Sequence, residues 1–442
     1  MLWHIIKYYM SFVIAIFFKR TKVSNIKNIQ VKGPVILAMN HPNAFMDPSA
    51  FSALVYPPRV RYLARGDAFK KGVVTWLLQS LGIIPIFRIQ DGGKEGLKKN
   101  DETYNIVNRL LRNNKKIIIY AEGLCIQERR LRPLKKGVPR MIFGAMVDQN
   151  LKNLTVVPVG VNYSNPSQFR GDLFFNIGEP ILVNDYLAAY KEAPAKTMNV
   201  FLADLTVKMK ELIVHINHHS SEKVIKHLEI ILKHDFIKNR NLDATNLEHD
   251  FLLSTSITQT INKTEDIAPE KVVELTQKTS DYLTKVKKHK LKDWLINPAK
   301  KNKINYIFVF INCLIIALTF PIYIVGLIGN YLPYKITYLL TSKKVKMVEF
   351  KASFYMGFGC VLFLLNYIII LIVSNLIVTS GWTTLLVILI FLLCGYICLY
   401  LSPLRKKTMG MIRFLQLKSK SSNTISDLVN SRKEIIDYYN SL

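Results

Sequence analysis

A histidine and an aspartate lie close together early in the chain, in the stretch NHPNAFMDP over residues 40–48. His41 follows a short apolar run that begins at Gly33, and such a run is typical of a buried strand. Asp47 precedes Pro48, an order that predicts an N-cap followed by the first helical position. The two residues are six positions apart, or about 120° around a helix, so a turn must bring them together. An imidazole oriented by a carboxylate can remove a proton from a hydroxyl group.

Other polar residues follow other strand-like runs. LGIIPIFR ends in Arg88, and KIIIYAEG ends in Glu122 and Gly123. A basic segment comes next, with cationic side chains at Arg129, Arg130, Arg132, Lys135 and Lys136. In VVPVGVNY, Pro158 predicts an edge strand or a local break. Strand ends in α/β sheets gather at one edge, so these groups predict a site where histidine takes a proton while cations hold a phosphate.

The sequence has no protein nucleophile in a recognisable setting. No G-x-S-x-G stretch occurs, so we infer that the substrate's own hydroxyl is activated. HINHH, over residues 215–219, lacks the glutamate of a metal-binding H-E-x-x-H helix, so we interpret it as a surface helix. DGGKEGLKK, over residues 91–99, lacks the G-K-[ST] ending of a phosphate loop and predicts a flexible basic loop.

Alternating strand-like and helix-like runs predict an α/β domain over residues 22–190. The predicted strands are PVILAMN, VRYLAR, IIPIFR, KIIIYAEG, LTVVPVGVNY and LFFNIGEPI, with helices such as DETYNIVNRLLRNN between them. Residues 191–300 are charged and helical in pattern and predict a helical appendage. Residues 1–21 are apolar and aromatic but contain His4 and Lys7 and end in a Lys-Arg pair, which favours an interfacial anchor helix over a full span or a signal peptide. A core helix is the alternative.

Residues 301–404 predict a membrane region, followed by a basic, helical, cytoplasmic tail over 405–442. Three apolar stretches, Tyr306–Ile328, Ser353–Val378 and Trp382–Leu401, are each long enough to span a bilayer. Basic segments flank them at 300–303, 343–351 and 405–407. Positive charges prefer the cytoplasmic side, which favours a two-span hairpin after 353 and a stretch that dips in and returns, interrupted at Pro321 and Pro333. Three ordinary spans are the alternative.

The charge balance restricts the partners. Lys and Arg number 60 against 31 Asp and Glu, a net charge of +29, and hydrophobic residues make up 50% of the chain. An anionic membrane surface explains both values, whereas a nucleic-acid partner has only the charge in its favour. The apolar stretches have almost no ionisable residues, which disfavours a transporter. Five cysteines without metal spacing predict a reducing compartment.

In four of its motifs the sequence resembles the glycerolipid acyltransferase family. NHPNAFMD, GIIPIFR, AEGLC and VVPVG match its four motifs in order. Five residues separate His41 from Asp47 where four are commoner, and LRPLKKG follows at 131–137, as in the branch that acylates glycerol-3-phosphate or dihydroxyacetone phosphate. Leu124 and Cys125 stand where many members have Thr or Ser and Arg. The resemblance implies an α/β acyltransferase domain with a central mixed sheet, in addition to the appendage and the membrane region.

The resemblance also implies the roles of the site residues. His41 would be the base and Asp47 its partner, while Glu122, Gly123 and Pro158 would shape the acceptor pocket. The acceptor's phosphate would bind Arg88, with Arg132, Lys135 and Lys136 as further candidates. Acyl-CoA or acyl-ACP would be the donor, and no metal or bound cofactor is implied.

The predicted function is therefore that of an integral membrane O-acyltransferase for glycerol-3-phosphate, with its catalytic domain on the cytoplasmic face. One alternative acceptor is lysophosphatidic acid. A function of another class, non-catalytic membrane shaping or tethering, predicts that His41→Ala leaves the cellular role intact.

Overall fold

A computed structural model describes residues 2–55, 60–66, 69, 72–80, 82–87, 102–147, 151–298, 304–377 and 380–442. The chain divides into two compact units. The first contains Met1–His215 and Met347–Ser353, and the second contains Ile216–Lys346 and Phe354–Leu442.

The first unit is built on one mixed sheet of eight strands. The strands are β1 (Arg20–Ser24), β2 (Val35–Met39), β3 (Val60–Arg65), β4 (Ile83–Ile86), β5 (Lys116–Tyr120), β6 (Thr155–Tyr163), β7 (Asp172–Ile177) and β8 (Ile181–Leu182). Their order is β1-β7-β6-β2-β5-β3-β4, with β8 beside β6. β6, β2 and β5 are adjacent and parallel, so their carboxyl ends lie at the same edge. The predicted mixed α/β sheet is confirmed; β1 is a strand that the sequence pattern did not reveal.

Helices pack around this sheet. They are α1 (Leu2–Phe17), α2 (Met46–Leu54), α3 (Val73–Ser80), α4 (residues 102–112), α5 (Gly137–Val147), α6 (Leu187–Glu192) and α7 (Pro194–Glu211). α1 lies on α2, where the Ser11 hydroxyl donates to the Ala53 carbonyl at 3.1 Å. α7 buries Phe201, Leu205 and Met209 in the same core as β2 and β5. α7 therefore packs on the sheet as part of the first unit, which extends to His215.

Pro158 does not place β6 at the edge of the sheet. β6 lies inside, paired with β2 on one side and with β7 and β8 on the other. Its pairing with β8 covers residues 155 and 156, and its pairing with β7 begins at Val159. Pro158 therefore lies where the partner strand changes, so a ladder hydrogen bond from its nitrogen is not required there.

The second unit begins with a helical bundle. Its helices are α8 (Glu222–Asn239), α9 (Leu247–Ile267), α10 (Pro269–Lys288) and α11 (Asp293–Ile296). The C-terminal part of the chain returns to this bundle, because Phe414 and Ile425 share its core with Leu228 and Leu275. Arg432 is buried and pairs with Asp293 at 3.1 Å and Asp235 at 2.8 Å. The predicted basic tail is thus helical, and its apolar face packs in the bundle.

The apolar helices are α12 (Tyr306–Leu318), α13 (Phe320–Lys344), α14 (Val348–Ile377) and α15 (Gly381–Lys420), followed by α16 (Ser422–Asn440). By length and composition, α14 and α15 can cross a membrane. α12 and α13 form a pair bent by 53°. The break is at Thr319, and Pro333 lies inside α13 rather than interrupting it. Pro321 is in the first turn of α13, where its missing N–H costs no helical hydrogen bond.

Candidate active site

The site is built where β2 ends. Residues 40–45 connect β2 to α2, and this short loop brings His41 and Asp47 together, with His41 Nδ1 at 2.8 Å from Asp47 Oδ2. Asp47 is the second residue of α2 rather than its N-cap, because the helix already begins at Met46. Its carboxylate points to the loop instead of capping its own helix. Asp47 is fully buried, while the His41 side chain is 16% exposed.

Three donors surround the Asp47 carboxylate. Oδ2 accepts from His41 Nδ1 and from the Asn43 N–H at 2.9 Å. Oδ1 accepts from the Tyr163 hydroxyl at 2.6 Å. Burial, followed by the nearby Asp47 charge, raises the pKa of Tyr163 well above its ordinary value, so this hydroxyl keeps its proton and remains a donor. Both oxygens of the Asp47 carboxylate therefore have hydrogen-bond partners, and one of them is 2.8 Å from His41 Nδ1.

Neighbouring strands fix where the loop begins. The Asn40 side chain donates to the Val161 carbonyl at 3.1 Å and accepts from the Val161 N–H at 2.7 Å, like a residue of a paired strand. On the other side, the His41 ring stacks on the Tyr120 ring, with centroids 3.7 Å apart and planes 16° apart. Contacts from both β6 and β5 therefore position the imidazole.

Glu122 connects the histidine loop to the basic segment. One carboxylate oxygen accepts from the His41 N–H at 3.3 Å, and the other accepts from the Arg132 N–H at 2.9 Å. Burial raises the pKa of Glu122, although the two backbone donors oppose that shift. Gly123 follows with φ at +65°, and a Cβ there would meet Lys135 Cγ at 3.0 Å. Glycine therefore allows both the turn and the close approach of Lys135.

The basic segment over 129–136 is an irregular connection before α5. Its Leu131 N–H donates to His215 Nδ1 at 2.9 Å. Burial lowers the pKa of His215 to about 4, so the ring is neutral and its Nδ1 can accept. The Arg132 guanidinium pairs with Glu128 at 2.8 Å, whereas Lys135 and Lys136 are exposed.

Cys125 also contacts the histidine loop. Its Sγ accepts from the Ala44 N–H at 3.0 Å. Burial raises the pKa of this thiol to about 12, so Cys125 is neutral and serves as a hydrogen-bond partner of the loop.

The structure brings together most of the residues that the sequence predicted. His41, Asp47, Glu122, Gly123 and Arg132 are linked by the contacts above. Pro158 is buried in β6, where its ring packs against Gly178. Arg88 lies outside the described residues, as does the loop over 91–99.

Sequence reasoning missed several residues of the site. Tyr163 and Tyr120 end predicted strands, and their position at strand ends was a usable signal. His215 was assigned to a surface helix, but it lies in an irregular segment after α7, and only its spatial contact with Leu131 shows its role. His218 pairs with Asp266 at 3.0 Å in the second unit.

The chain is similar to known proteins in the region that contains this site. Residues 20–162 match the family described as Acyltransferase. Glycerol-3-phosphate O-acyltransferase 2 of Saccharomyces cerevisiae is 32% identical over 108 residues, which are 24% of this chain and 14% of the yeast protein. Glycerol-3-phosphate O-acyltransferase 1 of the same yeast is 35% identical over 91 residues, 21% of this chain and 12% of that protein. The matched regions therefore span a small part of the yeast proteins.

A solved structure is also similar, namely the 1-acyl-sn-glycerophosphate (LPA) acyltransferase PlsC from Thermotoga maritima. The alignment has 16% identity and a TM-score of 0.34, and covers 48% of this chain and 78% of that one.

Proposed function

We propose that the chain is a membrane-bound O-acyltransferase that transfers a fatty acyl group from acyl-CoA or acyl-ACP to a hydroxyl of glycerol-3-phosphate, because residues 20–162 match the family described as Acyltransferase. The main support is the His41–Asp47 pair, 2.8 Å apart with a fully buried carboxylate. The acceptor is proposed from the two yeast relatives, whose names specify glycerol-3-phosphate.

In the proposed reaction His41 acts as the general base. The proton on Nδ1 forms a hydrogen bond to Asp47, so Nε2 is the nitrogen of the ring that can accept a proton. Nε2 takes the proton of the acceptor hydroxyl while the oxygen attacks the thioester carbonyl carbon. A C–O bond forms, the C–S bond breaks, and the imidazolium returns its proton to the departing thiolate. The anionic Asp47 stabilises the imidazolium between these two steps. The balance requires no metal or bound cofactor, since the acyl thioester is a co-substrate.

The acceptor's phosphate is proposed to bind the basic segment. Lys135 and Lys136 are exposed, and Lys135 approaches Gly123 next to Glu122. The Arg132 side chain is paired with Glu128, so a phosphate that binds Arg132 would have to replace the Glu128 carboxylate. Arg88 and Pro158 remain predicted contributors from the family resemblance.

A second proposal concerns the membrane. One core joins Leu228 and Leu275, which precede the apolar helices, with Phe414 near the end of α15 and Ile425 in α16. If this core lies outside the bilayer, the chain enters and leaves the membrane on the same side between residues 297 and 410. If α14 and α15 are the two crossings, the bent pair α12–α13 enters and leaves on the same side. Basic residues at 343–351 and 405–407 then lie on that side too, which favours a cytoplasmic catalytic domain.

The test is acyl transfer by the full chain purified into anionic liposomes. Radiolabelled acyl-CoA and acyl-ACP are each offered with glycerol-3-phosphate and with lysophosphatidic acid. We expect ester formation with glycerol-3-phosphate, and loss of this activity in His41→Ala. His218→Ala is the matched control, because it removes an exposed histidine that also pairs with an aspartate.

Each result decides between the alternatives. Preference for lysophosphatidic acid would replace the proposed acceptor. Turnover of neither acceptor by the folded chain would refute the enzymatic function and favour membrane shaping or tethering.

A further inference from the structure

The loop between β2 and α2 is held from several directions. The Asn43 side chain donates to the Pro166 carbonyl at 2.9 Å, and the Ala44 N–H donates to Cys125 Sγ at 3.0 Å. Ala44 has φ at +27°, a conformation that L-residues rarely adopt. Such a conformation persists only when surrounding contacts stabilise it.

Two further contacts come from a distant segment, residues 347–353. The Phe45 ring lies against the Phe350 ring, with centroids 6.0 Å apart and planes 65° apart. The Met46 N–H donates to Ser353 Oγ at 3.0 Å. Met46 is fully buried and Ser353 is 8% exposed, so water does not compete for this bond.

The 347–353 segment belongs to the same compact unit as residues 1–215. Besides the contacts with Phe45 and Met46, the Val348 carbonyl is 3.5 Å from the Ser167 hydroxyl. Residues 348–353 are also the first residues of α14, the first helix long and apolar enough to cross a membrane. The start of this helix is therefore part of the wall around the loop that contains His41 and Asp47.

Met46 is the residue next to Asp47 and the first residue of α2. A shift of this turn moves the Asp47 carboxylate relative to His41, and displacements of about 1 Å in a catalytic group cost about 100-fold in rate. The Met46 N–H also contacts the Asn43 carbonyl at 2.9 Å, so it keeps one acceptor when Ser353 is removed. A variant without the serine hydroxyl is thus expected to fold with a less restrained turn.

We propose that Ser353 is a positioning residue of the active site, and that the start of α14 stabilises the turn in which Asp47 orients His41. The inference rests on the proposed function for its catalytic consequence, and on the contacts of Met46 and Phe45 for its structural part. The hydrogen bond from Met46 to Ser353 thus links the first residues of α14 to the turn beside the reacting groups.

Ser353→Ala in the full chain tests the proposal. Ser374→Ala is the matched control, because Ser374 is on the same helix and has the same 8% exposure. Acyl transfer to glycerol-3-phosphate gives kcat and the acceptor KM. Hydrogen–deuterium exchange of the peptide containing residues 43–47 gives a second measurement that does not depend on activity.

We expect Ser353→Ala to lower kcat about fivefold, as loss of one hydrogen bond does, with an unchanged acceptor KM. The amides of residues 43–47 should exchange faster, and Ser374→Ala should change neither measurement. If the wild-type chain is inactive but the amides of residues 43–47 exchange faster in Ser353→Ala, the proposed function fails while the structural part of the inference stands. Unchanged exchange in Ser353→Ala, or an unchanged kcat in an active enzyme, would overturn the positioning role.

Discussion

Replacing Asp47 with asparagine tests the role of its charge with little change in shape. Asp47 Oδ2 accepts from His41 at 2.8 Å and from the Asn43 N–H at 2.9 Å, and Oδ1 accepts from Tyr163 at 2.6 Å. An asparagine carbonyl can replace Oδ2, and its amide can donate to the Tyr163 oxygen, which accepts as well as donates. All three contacts can therefore survive the substitution.

The expected loss in rate follows from the geometry. At 2.8 Å and an effective dielectric constant of about 20, an imidazolium and a carboxylate attract each other by about 6 kcal/mol. If about half of the proton charge is on His41 in the transition state, Asp47→Asn loses about 3 kcal/mol of stabilisation. This corresponds to a decrease in kcat of about 100-fold.

The assay is the initial rate of acyl transfer by the full chain in liposomes at saturating substrates. Asp204→Asn is the matched control, because Asp204 also accepts from a tyrosine, Tyr186 at 2.8 Å. Thermal unfolding of both variants verifies that they fold. An unchanged kcat in folded Asp47→Asn, or an equal loss in Asp204→Asn, would refute the electrostatic role of Asp47.

Three further predictions concern the surroundings of the pair. In Glu122→Gln, the side-chain NH2 group replaces one of the two oxygens that accept from the His41 and Arg132 N–H groups, so one of these N–H groups loses its acceptor. We expect a loss of about 1–3 kcal/mol in the free energy of unfolding, measured in denaturant. His215 has its pKa lowered to about 4, below the usual value of about 6.5. The unfolded chain therefore binds more protons between these values, and stability should fall as pH falls through this window, but less steeply in His215→Gln, as thermal unfolding at several pH values would show. Replacing Lys135 and Lys136 together with alanine should raise the acceptor KM about tenfold or more with little change in kcat, whereas an unchanged KM would place the phosphate elsewhere.

Local patterns in the sequence were sufficient for much of the fold. The apolar runs before His41 and Glu122 predicted the strands that end at the site, because burial on both faces of a sheet requires such runs. The lengths of the apolar stretches predicted the helices that can cross a membrane. The predicted start of α2 was wrong by two positions, because Phe45 and not Asp47 is the N-cap, and helix boundaries depend on contacts beyond the local residues.

The contacts that complete the site join residues that are far apart in the sequence. Tyr163 reaches Asp47 across 116 residues, and Ser353 reaches Met46 across 307. A hydrogen bond between single polar side chains leaves no periodic signal, so spacing could not predict either contact. The same reasoning applies to α7, whose polar and apolar pattern predicted a helix but not the sheet on which it packs.

The sequence by itself determined which residues can carry out the chemistry, because a histidine, two carboxylates and a basic segment follow strands whose ends must share an edge. Tertiary structure alone decided how each group is oriented and which hydrogen-bond partners it has. The Asp47 carboxylate accepts from donors in two parts of the unit, the loop after β2 and the end of β6, and the Met46 turn is bonded to the start of α14. The physical reason is that burial and hydrogen bonding set a group's charge and position, and both depend on neighbours that only the folded chain brings together.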